Sequence, residues 1–199
     1  MPGTPRTYAA NAIQRGPADL WLGVTLDAVT GKVTLAADGT PDATANPTAK
    51  HFGLLAVPSV YNYTPKPEFE AVDQDTAPVA AFANTEEMVI EATLSQLQFN
   101  AVLAHCMPAG VFSDSASEGI TVGLGGDILM TPVPLCVVAP SSDPAYKWAV
   151  ATMRKAVPTG AIKLELGRSK TATYQAQFKA LSDLTVAAGA RLGSVYKTL

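Results

Sequence analysis

Between residues 86 and 94 the chain alternates: Met88, Ile90, Ala92 and Leu94 point one way, Glu87, Glu91 and Thr93 the other. A period of two is that of a strand with one buried face. At Ser95 the period changes. Ser95-Gln96-Leu97-Gln98 has the spacing of a capping box, and Leu94, Leu97, Ala101 and Ala104 follow at helical intervals. The pattern predicts one helix from Ser95 that ends before Pro108-Ala109-Gly110. An acidic, turn-rich stretch, Val72-Asp73-Gln74-Asp75-Thr76-Ala77-Pro78-Val79, leads into this unit.

Elsewhere the periods are short and strand-like. Residues 20–26 predict a strand, and Thr30-Gly31 a turn before a second at 32–35. Residues 38–50, rich in Asp, Pro, Thr and Ala, predict a loop. Two short strands, 60–64 and 69–72, flank Pro65 and Pro67, which are excluded from a central ladder and mark a turn or an edge. The Gly/Ser-rich stretch 107–127 predicts a loop. Residues 133–138 are apolar on both sides and predict a buried strand, followed by strands at 146–153, 162–166 and 171–181. In the last, Ala172, Tyr174, Ala176, Phe178 and Ala180 share one face, and Thr173, Gln175, Gln177 and Lys179 the other. Residues 192–196 close the chain, and 1–16 form an aperiodic arm. Eight to ten strands and one helix predict a single mainly-β domain over 1–199, a sandwich or barrel with the helix packed outside.

Charged residues make up only 16% of the 199, against roughly 25% in ordinary soluble proteins. So low a share predicts that other copies cover much of the surface. A net charge of −3 argues against gripping nucleic acid by phosphate neutralisation, which needs clustered Lys and Arg. The longest apolar run, around 134–139, is too short to span a bilayer, and the first residues lack a secretory core, so no membrane anchor is expected. Cys106 and Cys136 predict reduced, buried thiols.

Catalytic patterns fail on their own chemistry. Asp73-Gln74-Asp75-Thr76 matches the opening of haloacid-dehalogenase-like phosphatases, but that chemistry needs a parallel α/β sheet, and Ala77-Pro78 breaks the apolar continuation. Gly123-Leu124-Gly125-Gly126-Asp127 lacks the lysine and hydroxyl of a phosphate loop. His105, Cys106 and Cys136 leave a zinc site one ligand short, and the two histidines suggest no triad. Neither enzyme activity nor a cofactor or metal is expected.

The order of elements resembles the major tail tube proteins of long-tailed phages. The resemblance is carried by 16–24 (Gly-Pro-Ala-Asp-Leu-Trp-Leu-Gly-Val), His51-Phe52-Gly53, the strand-to-helix run 86–104, 175–183 and 191–196. It implies a flattened barrel or sandwich that assembles as hexameric rings stacked into a tube, made in the bacterial host cytoplasm and carried in the virion. If each subunit gives four strands to the inner wall, 24 strands about 4.8 Å apart and tilted roughly 40–45° enclose about 40 Å after side chains. Duplex DNA fits. Six copies at −3 each give −18 per ring, a field that lets DNA slide without specific binding.

On this resemblance the lumen-lining candidates are Glu87 and Glu91, with Glu68 and Glu70, or Lys163 and Glu165, equally placed. Inter-ring contacts fall to the N-terminal arm, the 65–85 loop with Asp73 and Asp75, and the C-terminal 192–199 segment with Tyr196, together with Arg191 beside it. The implied partners are other copies of the chain, a tail terminator, a tip complex, a length-setting protein and a sheath. Two other classes compete. A distal tail or decoration protein shares the β content, and a carbohydrate-binding module would expose Trp21, Tyr61, Tyr63 and Trp148 as a platform.

Overall fold

A computed structural model describes residues 18–54, 60–70, 80–94, 112–115, 119–122, 131–159 and 174–199. They form ten strands: β1 (Asp19–Leu22), β2 (Lys50–Leu54), β3 (Val60–Glu70), β4 (Ala80–Leu94), β5 (Phe112–Ser115), β6 (Gly119–Val122), β7 (Val133–Pro140), β8 (Trp148–Pro158), β9 (Tyr174–Ala180) and β10 (Gly193–Thr198). Eight of them make one sheet in the order β2-β1-β7-β8-β9-β4-β3, with β10 also on β8, and every pairing is antiparallel. The mainly-β expectation holds. No helix occurs among the described residues, and the one expected from Ser95 lies outside them, as does the strand expected at 162–166.

β8 is where the sheet divides. Its first part, 148–153, pairs with β10, and its end, 156–158, pairs with β9 on the same side. The sheet therefore curls, and Phe52 of β2 meets Phe178 of β9 edge-on at 5.7 Å between ring centroids. The enclosed core takes alternate residues of each strand: Leu20 and Leu22, Leu135 and Val137, Met153, Met88 and Ile90, Ala176 and Phe178. Leu20, Ile90, Leu135 and Met153 are wholly buried, each worth about 1.5–3 kcal/mol of apolar transfer.

The opposite face of β7 and β8 is not solvated. Residues 23–49 fold over it and seal a second core of Val24, Val33, Cys136, Val138 and Val150, with Trp21, Trp148 and Tyr196 packed against it. That is why β7 is buried on both sides, as its unbroken apolar run requires. The expected strand at 32–35 reduces to isolated bridges, Leu26 to Val33 and Leu35 to Pro41. The 38–50 loop is a lid with its own buried residue: Asn46 accepts from the Thr25 N–H at 2.9 Å and donates to the Thr34 and Asp42 carbonyls at 3.1 Å each. Asp27 tightens the turn before Gly31, accepting from the Thr30 N–H and hydroxyl at 2.6 and 2.8 Å.

Two further expectations are revised. The chain does not break at the prolines; β3 (Val60–Glu70) runs through Pro65 and Pro67 as one strand of 11 residues at the end of the sheet, and residues 71–72 lie outside the described residues. Within the Gly/Ser-rich stretch, β5 and β6 pair as a hairpin, in keeping with the β-branched Ile120, Thr121 and Val122.

Candidate functional surface: a polar sheet face and open strand edges

Alternation sets which side chains meet outside the core. On β4, Met88, Ile90 and Ala92 are buried, so Glu87, Glu91 and Thr93 project from the other face. Register places Glu91 beside Gln177 of β9 and Val60 of β3, and Glu87 beside Thr64. Cross-strand chemistry follows. Lys179 pairs with Glu87 at 3.0 Å, Gln177 donates to Glu91 at 2.9 Å, and Thr159 donates to Gln177 at 3.3 Å. The Lys179 hydrogen bond, then its charge and that of Lys66, hold the Glu87 carboxyl below the ordinary carboxylate range.

Glu87 and Glu91 thus share one face, as their spacing requires. Among its described side chains, however, the face carries no net negative charge. Among the described side chains of β3, β4 and β9 it carries Glu87 and Glu91 against Lys66 and Lys179, two charges of each sign. The expected repulsive wall becomes, locally, a charge-balanced one.

The remaining candidates separate. Glu68 and Glu70 lie in β3 opposite Phe82 and Ala80, with only their backbone described. Lys163, Glu165, Asp73 and Asp75 lie outside the described residues. Arg191 is exposed and borders a cavity of about 210 Å³ with Tyr61, Tyr63, Glu86, Met88, Gly189, Leu192 and Gly193. Tyr196 turns inward: its ring packs on the second core, and its hydroxyl accepts from the Val33 N–H at 2.9 Å and donates to the Val33 carbonyl at 3.3 Å. Its polar end is therefore committed within the chain. Trp21 and Trp148 pack on that same core, far in the register from Tyr61 and Tyr63, so the four aromatics form no common platform.

Hydrogen-bond parity identifies the open edges. In an antiparallel ladder, residues directly opposite either both bond to each other or both turn away. The Gln177 carbonyl accepts from Thr159 and the Leu181 N–H donates to Lys155, so odd residues of β9 face β8 and even ones face β4. Phe178 opposes Ile90, so even residues of β4 face β9 and odd ones face β3. Glu91 opposes Val60 and Val89 opposes Asn62, which leaves Tyr61, Tyr63 and Pro65 with their backbone groups directed off the sheet. Proline at 65 costs no ladder bond for that reason. Likewise the Leu192 and Thr198 carbonyls accept from Arg154 and Lys147, so Gly193, Val195 and Lys197 of β10 face away from β8. Among the described residues nothing pairs with the outer edges of β2, β3 or β10.

Arg154 is the buried polar residue that sequence reasoning missed. Only 7% exposed, it donates to the Ala190 carbonyl at 2.8 Å and to those of Asp27 and Val29 at 3.3 and 3.4 Å. It ties the 23–49 lid to the 181–192 loop. A lone arginine in an apolar strand, Trp148-Ala149-Val150-Ala151-Thr152-Met153-Arg154, is the signal that marks it. Among the described residues no three His, Cys, Asp or Glu side chains are placed to hold a metal, and no helix is long and apolar enough to cross a membrane.

No family model and no curated protein matches the chain. Among solved structures it is similar to one titled as the crystal structure of an Hcp protein, with 11% identity, 82% of this chain and 88% of that chain covered, and a TM-score of 0.37.

Proposed function

We propose that this chain is a structural protein that polymerises with itself, and that the polymer is a phage tail tube of stacked hexameric rings conducting duplex DNA. The observation that carries this is the edge of β3, open among the described residues: an 11-residue strand at the end of its sheet that presents hydrogen-bonding groups outward. Such an edge is a template for another strand, and proteins that leave one regular and exposed invite pairing with further chains. A closed assembly satisfies it. The low charged fraction of 16% agrees with a surface covered by copies.

The polar face of β3, β4 and β9 suits the wall of a DNA conduit. Balanced charge offers phosphates no net cation to release counterions against, so DNA gains nothing by stopping there. The proposed role is mechanical, with a tail terminator, tip complex, length-setting protein and sheath as further proposed partners in the virion. Negative-stain electron microscopy of the purified chain tests it. Hollow filaments of uniform width are expected, and a monomer at every concentration and salt condition refutes self-assembly.

A further inference from the structure

The main core fixes the order of layers through the molecule. Met88, Ile90 and Phe178 of β4 and β9 meet Leu20, Phe52, Leu135 and Met153 of β1, β2, β7 and β8 in one cluster, so two walls of strands face each other across it. Each wall turns its other face outward. On β4 and β9 that face carries Glu87, Glu91, Gln177 and Lys179. On β7 and β8 it carries Cys136, Val138 and Val150, which Val24 and Val33 of the 23–49 lid cover. The polar face and the lid therefore lie on opposite sides of the molecule, with both walls between them.

We infer that the lid is the outer coat of the assembled tube, the surface that proteins outside it meet. This rests on the tube proposed above and assigns its two faces. With the polar face lining the bore, the layer order leaves the lid no place but the exterior. Circumference favours this orientation over its reverse. Sheets about 10 Å apart in a tube wall differ in circumference by about 60 Å, so each of six subunits must be about 10 Å wider on its outer side. Among the described residues the lid adds bulk over β7 and β8 alone, whereas the face of β4 and β9 is bare sheet.

The two surfaces differ as a bore and a coat should. On the polar face Lys179 is tied to Glu87 and Gln177 to Glu91, which holds these side chains along the sheet. The lid instead ends in turns whose tips project: Val29 is 80% exposed, and Ala43, Thr44 and Ala45 are exposed beside Asp42. Such tips would obstruct a bore. The lid is nonetheless fixed in place. The Thr152 and Ser194 hydroxyls donate to the Gly31 and Thr30 carbonyls at 2.8 Å each, and the Thr48 hydroxyl donates to the Gly23 carbonyl at 2.7 Å. Its carboxylates serve their own turns. Asp38 accepts from the Thr40 N–H and hydroxyl at 3.0 and 2.7 Å, and Asp42 from the Thr44 and Ala45 N–H groups at 2.9 and 3.0 Å. What remains outward is a firm surface of small neutral side chains, which fits a protein partner of matching shape and low charge, such as an enclosing sheath.

Size-selective labelling of assembled filaments tests the assignment. Thr44→Cys places a thiol on the lid and Gln175→Cys one on the polar face, both at exposed positions. Ala45→Cys and Thr93→Cys, the latter opposite Gln175, repeat the two arms should either first variant fail to assemble. Filaments are treated with a biotin maleimide and then with streptavidin, which is too wide to diffuse along a bore of about 40 Å. Wild-type filaments set the background from Cys106 and Cys136. Lid variants should bind streptavidin at least about tenfold above that background. Polar-face variants should take up biotin, yet bind streptavidin within about twofold of background until the filaments are dissociated. Streptavidin along intact polar-face filaments, or none on lid filaments, overturns the assignment while leaving the tube standing. Wild-type protein that never forms filaments refutes the proposed function itself, and the assignment with it.

Discussion

Replacing Arg154 by methionine should unfasten the lid over the second core. The guanidinium is buried and makes one short charged hydrogen bond, at 2.8 Å to the Ala190 carbonyl, and two long ones to Asp27 and Val29. A hydrogen bond from a charged donor is worth about 1.5–3 kcal/mol, and bonds beyond 3.2 Å fall well short of that. About 2 kcal/mol for the short bond and roughly 0.5 for each long one give about 3 kcal/mol. Removing a buried cation returns part of this, because its desolvation penalty disappears, so a net loss of about 2 kcal/mol is expected. For a domain of this size that lowers the melting temperature by roughly 4–8 °C. Arg154→Lys keeps a single donor and should fall between. Thermal unfolding followed by circular dichroism measures the loss, and hydrogen exchange should locate it at residues 27–31 and 190–192. An Arg154→Met variant within about 1 °C of wild type would mean that these three carbonyls do not depend on the guanidinium.

Gly193→Ala should weaken β10, because a Cβ there would clash with the Thr152 carbonyl oxygen; a loss of roughly 2 kcal/mol or more in denaturant titration is expected. Glu87→Lys with Glu91→Lys turns a balanced face into one with four lysines per subunit, so assembled protein should begin to retain duplex DNA at low salt and release it as salt rises. Mobility-shift titration reads this, and DNA indifference in the double variant would remove this face from the conduit wall. Asp183 has its carboxyl pulled down to about 2, first by the Thr185 hydroxyl and then by Lys155. A lowered carboxylate contributes stability above its ordinary value near 3.8 and loses it as pH falls toward about 2, so acid unfolding in that window should be shallower in Asp183→Asn. Burial pushes the Cys136 thiol up to about 12, so a thiol reagent at pH 8 should modify it only after unfolding.

Alternation identified β9 and the second half of β4, and an unbroken apolar run identified β7, because a strand with one buried face must repeat every two residues and a strand buried twice must be apolar throughout. It also placed Glu87 with Glu91, and Gln177 with Lys179, on polar faces. What it could not supply was that these two faces are the same one. Lys179 neutralises Glu87 only because β9 lies beside β4, a pairing of segments nearly ninety residues apart that leaves no local trace. Tyr196 shows the same limit: its exposed-looking surroundings in sequence hide a hydroxyl that meets Val33 across the lid. Pro65 and Pro67 announced an edge or a turn from covalent chemistry, since neither has an N–H. Only the ladder chose the edge, by directing Pro65 away from β4, with Tyr61 and Tyr63 unpaired beside it among the described residues. Local chemistry thus set which residues have a buried side, whereas strand order set which charges meet and which hydrogen-bonding groups stay unpaired among the described residues.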